Sequence, residues 1–153
     1  MPASWRIIKA RYAKSAFDGE GARQFGGRWN SPGVPIIYTS SSMSLAALEM
    51  LVHLGRSRSL SSYVVFSCRF DELLVESVDH AALPNHWREY PAPPALAVIG
   101  DGWIRRGRSA VLRVPSAIIG SESNYLLNPL HRDFSRIKIS SPQAFELDLR
   151  LLR

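Results

Sequence analysis

The chain has 153 residues, 46% hydrophobic and 21% charged, which suits a single globular domain with a sizeable core and excludes a disordered tail. Its net charge of +6 rests on arginine, since only Lys9, Lys14 and Lys138 are lysines; this permits nucleic acid, a phosphorylated small molecule or an acidic protein surface as partner. No apolar run reaches the roughly 18–20 residues of a membrane span, "MPASWRIIKARYAKS" has no signal-peptide core, and Cys68 stands alone, so a cytoplasmic chain without a disulfide is expected.

In chain order, "SWRIIKARY" (residues 4–12) reads as an opening strand. "FDGEGARQFGGRWN" (17–30) shows neither helical nor strand period and reads as a loop, closed by the turn signal "NSPGVP". "IIYTS" (36–40) is a short strand with Ile36, Tyr38 and Ser40 on one face. A helix follows over 41–55, with serines available to cap it and Gly55 to stop it. "SSYVVFSCRF" (61–70) is the clearest strand, and "LLVESV" (73–78) adds another. After the Pro- and aromatic-rich loop "LPNHWREYPAPP", a weaker helix is expected over 95–107, interrupted by Gly100 and Gly102. Then come a strand, "SAVLRVPSAI", a polar loop, "GSESNYLLNPLHRDFS" (120–135), and two strand-like segments, "RIKIS" and "FELDLRLL". Strands and helices do not alternate regularly, so one α+β domain over residues 1–153 fits better than a doubly wound sheet.

Four features carry chemistry. The glycines of 17–30 match neither a P-loop nor a Rossmann fingerprint. They either supply turn geometry or let the backbone approach a ligand whose phosphate or carboxylate Arg28 grips, with Trp29 and Phe25 offering flat apolar surface. Glu49, at about 100° per helical residue, falls about 40° from Leu45 and about 60° from Val52, beside a stripe of Leu45, Leu48 and Val52. A carboxylate there either reaches solvent or a structural arginine from the stripe's edge, or lines a cleft as a catalytic group. Ser116 lacks a nucleophile elbow, and His53, His80, His86 and His131 lack ligand spacing, so neither a serine hydrolase nor a metal site is expected. "RSR" (56–58) and "RRGR" (105–108), if joined in one stripe, would instead suit a nucleic-acid-directed protein.

Together, "GEGARQFGGRWNSPGVPIIYTSSSMSLAALE" and "LRVPSAIIGSESNYLLNPLHRDF" resemble the RES-domain family, with Arg132 a small departure from its pattern. The resemblance implies a fold similar to diphtheria-toxin-type ADP-ribosyltransferases, and a toxin of a type II toxin–antitoxin pair. It implies a chain that consumes NAD+ as a substrate, by hydrolysis, by phosphorolysis with inorganic phosphate as co-substrate, or by ADP-ribose transfer to a protein. No cofactor is implied. The family's catalytic residues fall on Arg28, Tyr38 and Glu49, and its serine on Ser116 or Ser109. Arg6, Gly27, Ser116 and Asn128 are expected to help bind NAD+. The implied partner is an Xre-like antitoxin that covers the site in a hetero-oligomer, rather than a membrane or a nucleic acid held by this chain.

Overall fold

The computed structural model describes residues 1–54 and 62–152. Its described strands join in one sheet of order β4-β5-β6-β2-β1-β3-β7, with β8 also paired to β3. They are β1 (Ala3–Lys9), β2 (Ile37–Ser40), β3 (Tyr63–Arg69), β4 (Val75–Ser77), β5 (Val111–Pro115), β6 (Ser123–Leu127), β7 (Lys138–Ile139) and β8 (Gln143–Phe145). All pairings are antiparallel except β4 with β5. Among the described residues, three α-helices accompany them: α1 (Glu20–Phe25), α2 (Met43–Leu54) and α3 (Pro94–Arg106). The expected α+β class is what the structure has, with the sheet dominant.

Register and the strand period of two decide which side chains share a face. One face carries Tyr38, Leu112, Val114 and Leu126, which pack with Trp29, Leu96 and Trp103 beneath α3. The other carries Ile37, Cys68, Val111, Tyr125 and Leu127, packed with Phe70, Leu74 and Ile137. Each fully buried side chain of this size contributes about 1.5–3 kcal/mol to folding. Helix α2 lies against β1 and β2. The expected serine cap is Ser42, whose Oγ accepts the Leu45 N–H at 3.0 Å. The expected stop at Gly55 lies outside the described residues, as do Arg56 and Arg58.

Several expectations need correction. Residues 17–30 are not all loop: α1 opens at Gly19 and closes at Gly26, both with positive φ. Helix α3 is uninterrupted, with Pro94 in its first turn and Gly107 as a left-handed cap. Its Gly100 and Gly102 are buried packing positions rather than breaks. The polar stretch 120–135 contains β6, a central strand. At the end of the chain, strand structure is confined to β7 and β8, and Leu149–Leu152 is a 3-10 turn.

Candidate active site

Glu49 follows Leu45 and Ala46 by one turn of α2, so it leaves the helix on their side, the buried one. The apolar stripe expected through Leu48 and Val52 is not the inward face, because both are exposed. The inward face narrows to Leu45 and Ala46, and the carboxylate comes next along it. Its Oε1 accepts two hydrogen bonds, from Ser116 Oγ at 2.9 Å and from Asn124 Nδ2 at 2.8 Å. Both donors come from the sheet: Ser116 just beyond β5, and Asn124 in β6 opposite Ser40. Among the described residues both bonds fall on one oxygen, and Glu49 borders an adjoining cavity of about 410 Å³. Glu49, Tyr38, Trp5, His53, Tyr63 and Asn124 are among its lining residues.

Ser116 is fully buried, and its hydroxyl is committed throughout. A hydroxyl has one proton and two lone pairs. The proton goes to Glu49, and the oxygen accepts the N–H groups of Ile118 and Ile119, each at 3.1 Å. Ser109, the other serine in question, accepts from Trp103 Nε1 at 2.8 Å and lies 3.1 Å from Glu76 Oε2, tying α3 to β4. Only Ser116 touches the carboxylate.

Beside this site β1 and β2 part. Their ladder holds one register pair, Trp5 opposite Ser40. Arg6 occupies the gap: its Nη1 donates to the Tyr38 carbonyl at 2.9 Å and its Nε to the Ala16 carbonyl at 2.8 Å. Burial pushes the Arg6 guanidinium down to about 10, against smaller opposing effects of Cys68 and Asp18, so it remains a cation at neutral pH. Arg6 thus borders the cavity with two of its donors already bonded to main chain.

The segment 26–31 is anchored by polar contacts. Tyr38 donates its hydroxyl to Asn30 Oδ1 at 2.7 Å and accepts the Trp29 N–H at 3.1 Å. Burial raises the Tyr38 pKa well above the usual tyrosine value, with the Trp29 N–H a smaller opposing effect. A Cβ on Gly27 would sit 2.7 Å from that hydroxyl, which explains the glycine without invoking a ligand. Asn30, buried, donates to the Ala22, Ser31 and Val34 carbonyls. A Cβ on Gly100 would overlap the Trp29 carbonyl, so α3 needs glycine where the loop rests on it. Trp29 itself is in the core and Phe25 is 82% exposed, so neither forms the flat surface expected beside Arg28.

Arg28 reaches across to the loop before α3. Its Nη1 donates to the Trp87 and Glu89 carbonyls at 2.9 and 3.0 Å. Partial burial lowers its pKa, while Glu49 foremost, then Tyr38 and Tyr90, favour the charged form. Asn128 is buried at the end of β6, where its Oδ1 accepts the Leu130 N–H at 2.9 Å and its own N–H bonds the Ala110 carbonyl; it braces a turn away from Glu49. The structure therefore gathers Tyr38 and Glu49 on one cavity, with Ser116 behind Glu49, and sets Ser109 and Asn128 elsewhere. Asn124 and Asn30 escaped the sequence reading. Both lie in stretches that read as loops, so no pattern set them apart.

A helix-borne carboxylate gripped from the sheet and a tethered tyrosine thus line one cavity, and the Arg28 cation lies close enough to feel both. The RES domain matches residues 3–149, and the chain belongs to that family. Among its relatives is "Toxin Res" of Yersinia enterocolitica, 39% identical over 148 residues, which cover 96% of this chain and 97% of that protein. Another is "Prs ADP-ribosylating toxin" of Sphingobium sp. strain YBL2, 39% identical over 154 residues, covering 97% and 96%. In fold it resembles a chain of the M. tuberculosis MbcT-MbcA toxin-antitoxin complex, with a TM-score of 0.76 at 20% identity over 94% of this chain and 83% of that one.

Proposed function

We propose that this RES-domain chain is the toxin of a toxin–antitoxin pair and that it breaks the nicotinamide–ribose bond of NAD+. The observation that carries the reading is the one-sided grip on Glu49, both described bonds falling on Oε1, at a cavity that Glu49 and Tyr38 both line. As the C1′–N bond breaks, its electron pair passes to the ring nitrogen and turns a pyridinium cation into neutral nicotinamide. The leaving group thus needs neither metal nor general acid. Positive charge develops instead on the ribose, in an oxocarbenium-like transition state related to that of glycoside hydrolysis. Glu49 Oε2 stabilises that charge and accepts a ribose hydroxyl proton in a hydrogen bond, both effects being greatest in the transition state. Arg28 pairs with the diphosphate through its remaining guanidinium donors. The tethered Tyr38 ring forms a rigid wall for the nicotinamide. Ser116 acts through Glu49, while Gly27, Arg6 and Asn128 shape the scaffold around the ligand. A fold of the diphtheria-toxin ADP-ribosyltransferase type accords with this reading, as does the parting of β1 from β2.

The ribose cation is captured by water, with release of a proton, or by inorganic phosphate, in either case depleting NAD+. A second acceptor, a protein side chain, is favoured by the Sphingobium relative, whose name describes an ADP-ribosylating toxin. The partner we propose is an Xre-like antitoxin that covers the site and presents a carboxylate toward Arg28; the likeness to a toxin–antitoxin complex supports such a partner. NAD+ labelled in its adenylate phosphate separates the acceptors. Hydrolysis gives ADP-ribose in any buffer, phosphorolysis gives a phosphorylated product only with phosphate, and transfer leaves label on polypeptide. In each case Glu49→Gln abolishes turnover; label release unaffected by that substitution contradicts the proposal.

A further inference from the structure

We propose that Asn124 is a positioning residue for Glu49, holding its carboxylate so that Oε2 faces the cavity. This rests on the NAD+-cleaving reading above. The bond from Asn124 Nδ2 to Oε1, at 2.8 Å, is the shorter of the two that fix the carboxylate. Ser116 alone leaves the group free to swing about a single bond. The second donor, from β6 beside the end of β5, meets the same oxygen from another direction and restricts that swing.

The second observation is what Asn124 gives up. Its Oδ1 is buried and has no hydrogen-bond partner among the described residues. An unpaired buried acceptor is a cost to the fold. Turning the amide over would set Oδ1 against Glu49 Oε1, two acceptors face to face, so the orientation is dictated by the carboxylate. On the same face of β5 and β6, Val114 and Leu126 are apolar and buried. An amide at position 124 therefore serves the carboxylate rather than the sheet.

Among the described residues, the charged and titratable groups around Glu49 are Arg6 and Lys9 of β1, Tyr38 of β2, Tyr63 of β3, His53 of α2 and Arg28. An Asn124→Asp substitution leaves all six in place and replaces a donor by an acidic group of nearly the same shape. Two carboxylates at that distance cannot both ionise freely, so the pair retains a proton to higher pH. The test uses the full chain in two measurements. In a carbon-detected NMR titration, the Glu49 carboxyl resonance of Asn124→Asp is expected to titrate at least one pH unit above that of the unsubstituted chain. In nicotinamide release, kcat of Asn124→Asp is expected to fall at least tenfold at pH 6.5 and recover in part as pH rises, with KM within about twofold. A superimposable titration, or an equal loss of rate at every pH, overturns the proposal. If Asn124→Asp does not fold, Asn124→Leu replaces it. That variant should lower kcat at least tenfold at unchanged KM and retain the thermal midpoint; unchanged kcat overturns the proposal. If the unsubstituted chain releases no nicotinamide, the reaction is wrong, and the NMR titration still decides whether Asn124 governs Glu49.

Discussion

Ser116 has a single proton to give, and Glu49 receives it. That assignment separates it from Ser109, which the sequence left as its rival. Ser109→Ala breaks the bond from Trp103 and should cost about 1–2 kcal/mol of stability while leaving kcat within threefold, as a denaturant melt and a rate assay would show. Ser116→Ala should reduce kcat at least tenfold at similar KM. The reverse pattern would make Ser109 the functional serine. Tyr38 makes a second prediction through pH. Its folded pKa is raised because burial disfavours the phenolate, so the stability it contributes is complete below about pH 10, the unfolded value, and is lost as pH rises beyond it. Tyrosinate absorbance of the wild type and of Tyr38→Phe should therefore superimpose through about pH 11. Loss of a tyrosinate signal near pH 10 in the variant would show that Tyr38 ionises normally.

At the scale of elements, α2 was legible as a helix and misread in its orientation. Leu45, Leu48 and Val52 make a plausible stripe, yet only Leu45 faces the sheet, because the inward side must also place Glu49 between Ser116 and Asn124. Leu45→Ala should then cost about 2–5 kcal/mol, whereas Val52→Ser should stay within about 0.5 kcal/mol in the same unfolding experiment. Comparable losses at both positions would restore the stripe. Strand β6 was hidden for a related reason. Its "SNYLL" carries polar residues where a central strand is usually apolar, and Asn124 is polar because it bonds the carboxylate. Helix α3 looked broken because Gly100 is a poor helix former; it is there because the Trp29 carbonyl rests on it. In each case a local rule failed where tertiary contact, and twice the candidate site itself, set the residue.

Over the whole molecule, the arginine bias suggested anionic partners, and part of it has another use. Arg6, Arg28 and Arg88 each donate to a pair of main-chain carbonyls: Ala16 and Tyr38, Trp87 and Glu89, Ala117 and Ile118. These clamps hold irregular segments of the chain, and the last secures the turn that begins at Ser116. No periodicity could have announced them, since a carbonyl partner leaves no mark on the sequence. The strands β1, β2, β3 and β5 were legible from their branched and aromatic residues, as was the mixed class of the domain. The family was legible from the "GGRWN" segment, whose Gly27 and Asn30 are fixed by Tyr38. How Glu49 is held was not, because its two donors lie 67 and 75 residues away.

We propose above that Glu49 supports cleavage of the nicotinamide–ribose bond, and one measurement bears on that step directly. Proton NMR of NAD+ incubated with the purified chain follows that bond directly through the anomeric proton of the nicotinamide ribose. This signal is expected to decay as free nicotinamide appears in equal amount, and Glu49→Gln, folded by circular dichroism, should slow the decay at least a hundredfold. Undiminished NAD+, cleavage at the diphosphate instead, or equal rates for the two proteins would contradict it.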